Sequence, residues 1–258
     1  MVAPAGLPAI SVKEWAAWAP GLTEKAQWNA FLKAGGDISQ DGSPEAGFIP
    51  PLLRRRMSRL DRMALTAAYS CCRDSAMPPD RVPLVLASRH GDMPVTTRLL
   101  KQLSLNEPLS PADFTNSVHH TAAGYWGMFS GNRLTARAVA GGEASFCHGW
   151  LEAVGLLARD PGRPVLLVAV DDVLPPPFDG MVRGRTVPYA VALLFQGGVE
   201  SVERGVSLEL DGASIQNSAT PSRGCFGVAG LDFLRWYIGG AQGDLALELD
   251  GRRWRWTS

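Results

Sequence analysis

Three uninterrupted apolar runs constrain this chain more than any other feature. They are Val82–Ala87, Pro164–Val170 and Tyr189–Phe195. A strand with one wet face alternates apolar and polar residues, whereas an unbroken apolar strand must be covered on both faces. The segments between these runs repeat at helical spacing. Leu52 to Ala76 carries Leu53, Met57, Leu60, Met63, Ala64, Ala67 and Ala68, which predicts one long helix ended by Pro78-Pro79. Asp92 predicts a cap for a helix running to Leu103, with Val95, Leu99, Leu100 and Leu103 inward. Ser117 to Phe129 reads as a helix with Ala122, Ala123 and Gly124 on a close-packing face. Buried strands alternating with helices predict an α/β fold, a layered sheet with helices on both faces.

The flanking segments are less regular. Ile10 to Pro20 reads as a short strand entering a turn at Pro20-Gly21, and Thr23 as the cap of a helix through Leu32. Residues 34–50 are rich in Gly, Ser, Asp and Pro and predict a loop. Ser110 opens a further element. Gly205–Leu210 alternates as a half-exposed strand, and residues 212–228 are polar and irregular. Leu231–Ile238 is an amphipathic helix, and Leu245–Trp256 alternates about a hairpin-like Asp250-Gly251. There is no internal repeat.

The formal net charge of the 258 residues is zero, and no basic stripe is present, which argues against a nucleic-acid partner. Arg54, Arg55 and Arg56 with Arg59 and Arg62 form the nearest approach, a solvated or carrier-docking face at the start of the predicted long helix. No apolar run reaches the roughly 18 residues that span a bilayer. Met1–Gly6 lacks a charged leader and a long apolar stretch, so a cytoplasmic location is expected. Cys71, Cys72, Cys147 and Cys225 form no CxxC pair and read as free thiols of a reducing compartment.

The stretch Thr135–Leu157 carries the chemistry. It reads as a short strand, a Gly141-Gly142 turn and a helix beginning near Glu143. Phe146, Trp150, Leu151, Val154 and Leu157 give that helix an apolar face. A carboxylate at a helix start meets free backbone N–H groups, a gain of about 0.3–1 kcal/mol. Glu143 is therefore either a group reaching toward a site or a satisfied helix-start acid, and the two readings are compatible. His120 or Ser145 is the expected donor to it, and a Glu143–histidine pair has acid–base potential. His119 and His120 also read as core histidines, and His148 as a packed or capping helix residue. A metal site needs three or four converging ligands, and nothing in the spacing brings His119, His120 and Glu143 together. No metal and no cofactor is expected. Asp171-Asp172 at a strand end is a carboxylate pair in a place where sites gather, although such acids more often cap the next turn. Ser88–Gly91 also follows a strand. The polar stretch Asn217–Arg223 is a candidate loop over a site.

The order of elements from Ser110 to Val173 resembles the N-terminal half of β-ketoacyl-acyl carrier protein synthases. In that family a helix with a small-residue N-x-x-A-G pattern precedes the nucleophile strand. Val118–Gly124 takes that place, with His120 where Asn is usual. The nucleophilic Cys of the family falls at Glu143, and His148, Glu152 and Ala153 fall at later matching positions. Ala87–Gly91, Glu107–Pro111, Ser117–His120, Ala140–Phe146 and the Trp254-Arg255-Trp256 ending are similar to short ketosynthase-like proteins of the chain length factor type. Those accompany ketosynthases in aryl polyene and xanthomonadin-type pigment clusters.

The resemblance implies a thiolase-like fold with a layered mixed sheet. It implies one ketosynthase-like domain over residues 1–258, with a core at about 50–198 and residues 199–258 completing the layer. Two departures bear on function. Glu143 replaces the nucleophile, and Cys147, one turn further on, reads as a buried small residue. The two histidines of the family's C-terminal half have no counterpart, since His90, His119, His120 and His148 all lie in the N-terminal half. Independent condensation therefore lacks both nucleophile and oxyanion machinery. The implied role is non-catalytic assistance to a partner ketosynthase, as a heterodimer or homodimer, with acyl carrier protein as a further partner and His90 and Phe129 near the contact surface. The alternatives are a stand-alone acyl-thioester enzyme using Glu143 with a histidine, and a carrier-binding module.

Overall fold

The structure, a computed structural model, describes residues 9–182, 185–197, 205–211 and 226–258. Its strands are β1 (Ile10–Trp18), β2 (Leu84–Ala87), β3 (Ala136–Val139), β4 (Val165–Asp171), β5 (Tyr189–Gln196), β6 (Gly205–Asp211), β7 (Leu245–Leu249) and β8 (Arg252–Thr257). They form one sheet in the order β3-β2-β4-β5-β1-β6-β8-β7. β2 is parallel to β3 and β4, and the remaining pairs are antiparallel, so the sheet is mixed. The three apolar runs become β2, β4 and β5, adjacent in the sheet.

Both faces of that centre are covered, and β4 shows how. Leu167 and Ala169 point into one core, Leu166, Val168 and Val170 into the other, as a two-residue period requires. The helices are α1 (Lys25–Ala34), α2 (Pro51–Arg54), α3 (Arg59–Asp74), α4 (Met93–Ser104), α5 (Pro111–Asn116), α6 (Thr121–Ser130), α7 (Ser145–Arg159) and α8 (Ala229–Ile238). One core joins α1, α7 and α8 through Trp28, Phe146, Trp150 and Phe233 with Trp254 and Trp256 of β8. The other joins α3 and α6 through Met63, Leu65 and Trp126. β1 lies between β5 and β6, with a register shift between Val12 and Glu14. α7 sits unusually close to the sheet at Gly149, where a Cβ would lie 2.8 Å from both the Ala87 Cβ and a Leu167 methyl.

Several sequence expectations are corrected. The helix predicted over Leu52–Ala76 is two helices, because Ser58 and Asp61 form a reciprocal capping box that starts α3 afresh. Arg54–Arg56 thus lie before α3, and only Arg59 and Arg62 on it. The cap of α1 is Glu24 with Gln27, whose amide oxygen accepts from the backbone of Thr23 and Glu24. Leu100 and Leu103 face out, as α4 buries only Val95 and Leu99. α6 begins at Thr121, and Gly124 is exposed with no contact waiting for a side chain. The Asp250-Gly251 hairpin forms with positive φ at both turn residues. Asn217–Arg223 and Cys225 lie outside the described residues.

Candidate functional site

The parallel pairing of β2 with β4 sets Ala87 beside Ala169, so the chain leaves both strands at the same end. There the Ser88 hydroxyl and the Arg89 backbone N–H donate to Asp171 at 2.9 and 2.7 Å. Asp171 is the strand partner of Tyr189 on β5, whose hydroxyl shares the same buried surroundings. Burial pushes the Asp171 carboxyl up to about 6, and burial, then the charge of Asp171, drives the Tyr189 hydroxyl well above its ordinary value. With Asp171 holding its backbone, Arg89 directs its guanidinium to Glu143, 3.4 Å away.

Glu143 sits in a single 3-10 turn, Gly142–Ala144, and α7 proper begins at Ser145. Its carboxylate borders a cavity of about 580 Å³ that Arg89, Asp171 and Tyr189 also line. α8 closes another wall with Asp232, which accepts from the Phe226 and Val228 N–H groups at 2.8 and 3.2 Å. Burial pushes that carboxyl up to about 6 as well. His90 lines the cavity half-buried, its Nε2 without a hydrogen-bond partner among the described residues. Burial and the adjacent Arg89 charge lower its pKa and favour the neutral ring.

The expected donors to Glu143 are placed elsewhere. Ser145 Oγ accepts from the Gly141 N–H at 3.0 Å and donates to the Gly142 carbonyl at 2.7 Å, so it closes the turn on itself. His120 reaches the Ala136 carbonyl of β3 at 3.4 Å, and His119 the Ser88 carbonyl at 3.0 Å. Both histidines brace backbone. His148 Nδ1 lies 2.9 Å from the Ala144 carbonyl and its ring packs on Trp254. Phe129 joins an aromatic group with Phe48, Tyr69 and Trp126 beside the α3–α6 core, apart from the cavity. Cys147 is fully buried, and burial pushes its thiol well up, so it is no nucleophile. Asp172 splits from Asp171 and pairs with Arg59 at 3.3 Å. Among the described residues no group of three His, Cys, Asp or Glu side chains could hold a metal ion.

Sequence reasoning missed Tyr189 and Asp232 because each lies in a segment read for its apolar pattern. Arg89 was legible only as part of a loop after a strand. The assembly contains carboxylates that are paired or hydrogen-bonded, and Glu143 and Ser145 are the side chains that the turn brings to the cavity.

A mixed sheet between two helical layers, with a glycine turn leading from an edge strand into a buried helix, is the thiolase-like architecture of condensing enzymes. The chain belongs to the β-ketoacyl synthase family: the family's N-terminal domain matches residues 25–257. No curated protein sequence matches the chain. Among solved structures, one chain of the ketosynthase (ApeO)–chain length factor (ApeC) complex from Xenorhabdus doucetiae is similar at 25% identity and a TM-score of 0.80. That match covers 97% of this chain and 100% of the other. The ishigamide ketosynthase/chain length factor matches at 18% identity and a TM-score of 0.63, over 81% of this chain and 68% of its own. The module 1 ketosynthase of the bacillaene synthase from Bacillus amyloliquefaciens FZB42 matches at 16% identity and a TM-score of 0.58, over 83% and 48%. Among the described residues no helix is long and apolar enough to cross a membrane.

Proposed function

We propose that this chain is the chain length factor-type partner of a ketosynthase in aryl polyene-type fatty acid or polyketide biosynthesis. It forms one ketosynthase-like domain over residues 1–258 and works in the cytoplasm without condensing activity of its own. The carrying observation is the match to the ApeO–ApeC complex, which spans the whole of the matched chain. That matched chain is therefore about as long as this one, whereas the same fold covers less than half of the bacillaene ketosynthase. This chain is thus matched end to end by one member of a ketosynthase–chain length factor pair.

Two features support a partnership. Among the described residues β3 ends the sheet, paired on one side only with β2, and such an edge offers backbone groups to another chain. Leu100, Leu103, Leu105, Leu109, Phe114 and Val118, each 42–62% exposed, are concentrated on the α4–α5 arm. His120, at the start of α6 just beyond the arm, is hydrogen-bonded to β3. Glu143, held by Arg89 and read from the resemblance as standing at the family's nucleophile position, favours the absence of independent chemistry. A carrier-only role is less well supported, because Arg59 is engaged by Asp172 and the Gln40 carbonyl.

The test is co-expression with candidate ketosynthases from its own genomic neighbourhood, followed by co-purification and light scattering. A stable complex of one copy of each is expected, retained in Glu143→Ala. A protein that ignores the ketosynthase and turns over acyl thioesters alone overturns the reading.

A further inference from the structure

The β7–β8 hairpin does more than extend the sheet. Its turn residue Asp250 places Oδ2 3.2 Å from the N–H of Ala144, the residue that caps α7, an N–H it shares with the Gly141 carbonyl at 3.1 Å. The whole carboxylate lies flat on Gly142. A Cβ there would meet Oδ2 at 2.6 Å and both Cγ and Oδ1 at 3.2 Å. Gly142 also has φ +57°, so the position is glycine for two reasons. On the neighbouring residue a Cβ at Gly141 would lie 2.4 Å from the His148 ring. The two glycines thus let the hairpin tip and His148 close on the turn, where Gly141, Ala144, His148 and Asp250 border a second, smaller cavity. Asp250 itself has φ +49° and Gly251 φ +73°, a two-residue turn that aims the carboxylate at the helix start.

We infer that Asp250 is an internal counter-anion that occupies the N-terminus of α7 and closes the Glu143 turn to thiolates and anionic ligands. This rests on the reading of Glu143 as a silent nucleophile position. A helix start favours a negative charge and lowers the pKa of a thiol placed on it. Here that favour is already taken by a fixed carboxylate, and a second anion at the turn meets repulsion. The position is silenced twice, once by the absence of Cys and once by Asp250. Putting a cysteine back at 143 does not by itself recreate a reactive thiolate. Asp250 also adds to the forces that push the Cys147 thiol up, behind burial.

The charged and titratable groups that line the cavities on the turn are Arg89 and His90 from the loop after β2, Asp171 from β4, Arg185 just before β5 and Tyr189 on it, Asp232 from α8, His148 on α7, and Glu248, Asp250 and Arg252 from the hairpin. Only Asp250 changes in the test, so the others form a constant background. The test introduces Glu143→Cys, alone and combined with Asp250→Asn or Asp250→Gly. Both replacements suit a positive φ, which keeps the hairpin turn. Alkylation of residue 143 by iodoacetamide is followed by mass spectrometry from pH 6 to 10. With Asp250 in place the thiol is expected to titrate at or above the ordinary value of about 8.5. In either double variant it should fall by about one pH unit, raising the rate at pH 7 roughly tenfold. A thiol titrating below about 8 with Asp250 present overturns the inference. So does an unchanged titration in the double variants, even if alkylation speeds up equally at every pH, since that is loss of cover alone. The measurement needs no partner. Its failure leaves the ketosynthase partnership standing, and failure of co-purification leaves this result standing.

Discussion

At the scale of single residues, the Glu143 turn is a set of mutual constraints. Glu143 is about a quarter exposed and its partner Arg89 less so, at 3.4 Å. Solvent still screens such a pair, and its direct worth is about 0.5–1 kcal/mol. A double-mutant cycle of Glu143→Gln and Arg89→Met, read by urea unfolding, should return a coupling of that size. A coupling of zero would show the contact to be incidental. Gly142 offers a sharper test. Gly142→Ala adds left-handed strain and a methyl 2.6 Å from the Asp250 carboxylate, a cost of about 2 kcal/mol or more. Adding Asp250→Gly should recover the steric share and leave the backbone share of about 1 kcal/mol. Recovery of nothing would show that the carboxylate does not sit where it is placed.

At the scale of elements, α7 is positioned by its contact with β2 and β4 through Gly149. Gly149→Ala forces a methyl into Ala87 and Leu167, both in buried backbone-anchored positions. The helix must lift, at about 1–3 kcal/mol, and the Glu143 turn lifts with it. Stability should fall by that amount in denaturant melts, whereas Gly155→Ala on the same helix, with nothing within 4 Å, should be neutral or stabilising. On the far edge, Leu103→Asp and Phe114→Asp alter residues 60% and 62% exposed. They should leave the melting curve nearly unchanged and weaken ketosynthase co-purification at least tenfold, and intact binding would move the interface elsewhere. These elements also show what the sequence could reveal. β2, β4 and β5 were legible because a strand covered on both faces has no other way to write itself. The Asp250-Gly251 hairpin was legible because its turn needs positive φ. The break between α2 and α3 was hidden, since apolar spacing continues across it and only the Ser58–Asp61 box betrays the restart. Leu100 and Leu103 misled, because periodicity marks an apolar face without saying whether this chain or another covers it. The Arg89–Glu143 pair joins residues 54 apart in sequence, a distance that no local pattern encodes.

At the scale of the whole molecule, buried carboxyls sit at the seams between layers. Asp61 caps α3, Asp171 ends β4 and Asp232 holds the start of α8, and burial pushes each from 3.8 up to about 6. Asp92 and Asp172 are raised in the same direction by burial. A raised carboxyl means that the folded chain binds more protons than the unfolded one between those two values. The stability these groups contribute is therefore full below about pH 4 and is lost as the pH rises through about 6, on the order of 3 kcal/mol for each fully buried group. His90 acts in the opposite sense. Its lowered pKa favours protonation of the unfolded chain, so its contribution is lost as the pH falls below about 6.5. One half-buried ring does not balance the buried carboxyls, and they set the slope. Urea unfolding free energies should decline from pH 4 to pH 6.5. Asp61→Asn isolates one share of that decline. The amide oxygen still accepts from the Ser58 N–H and hydroxyl that now bond the carboxylate, so the cap survives while the titration is removed. The variant should match the parent near pH 4 and exceed its stability above pH 6. A parent curve that rises over this range, or a variant with the parent's slope, would show that the seam is wetter than its burial indicates and that Asp61 ionises freely.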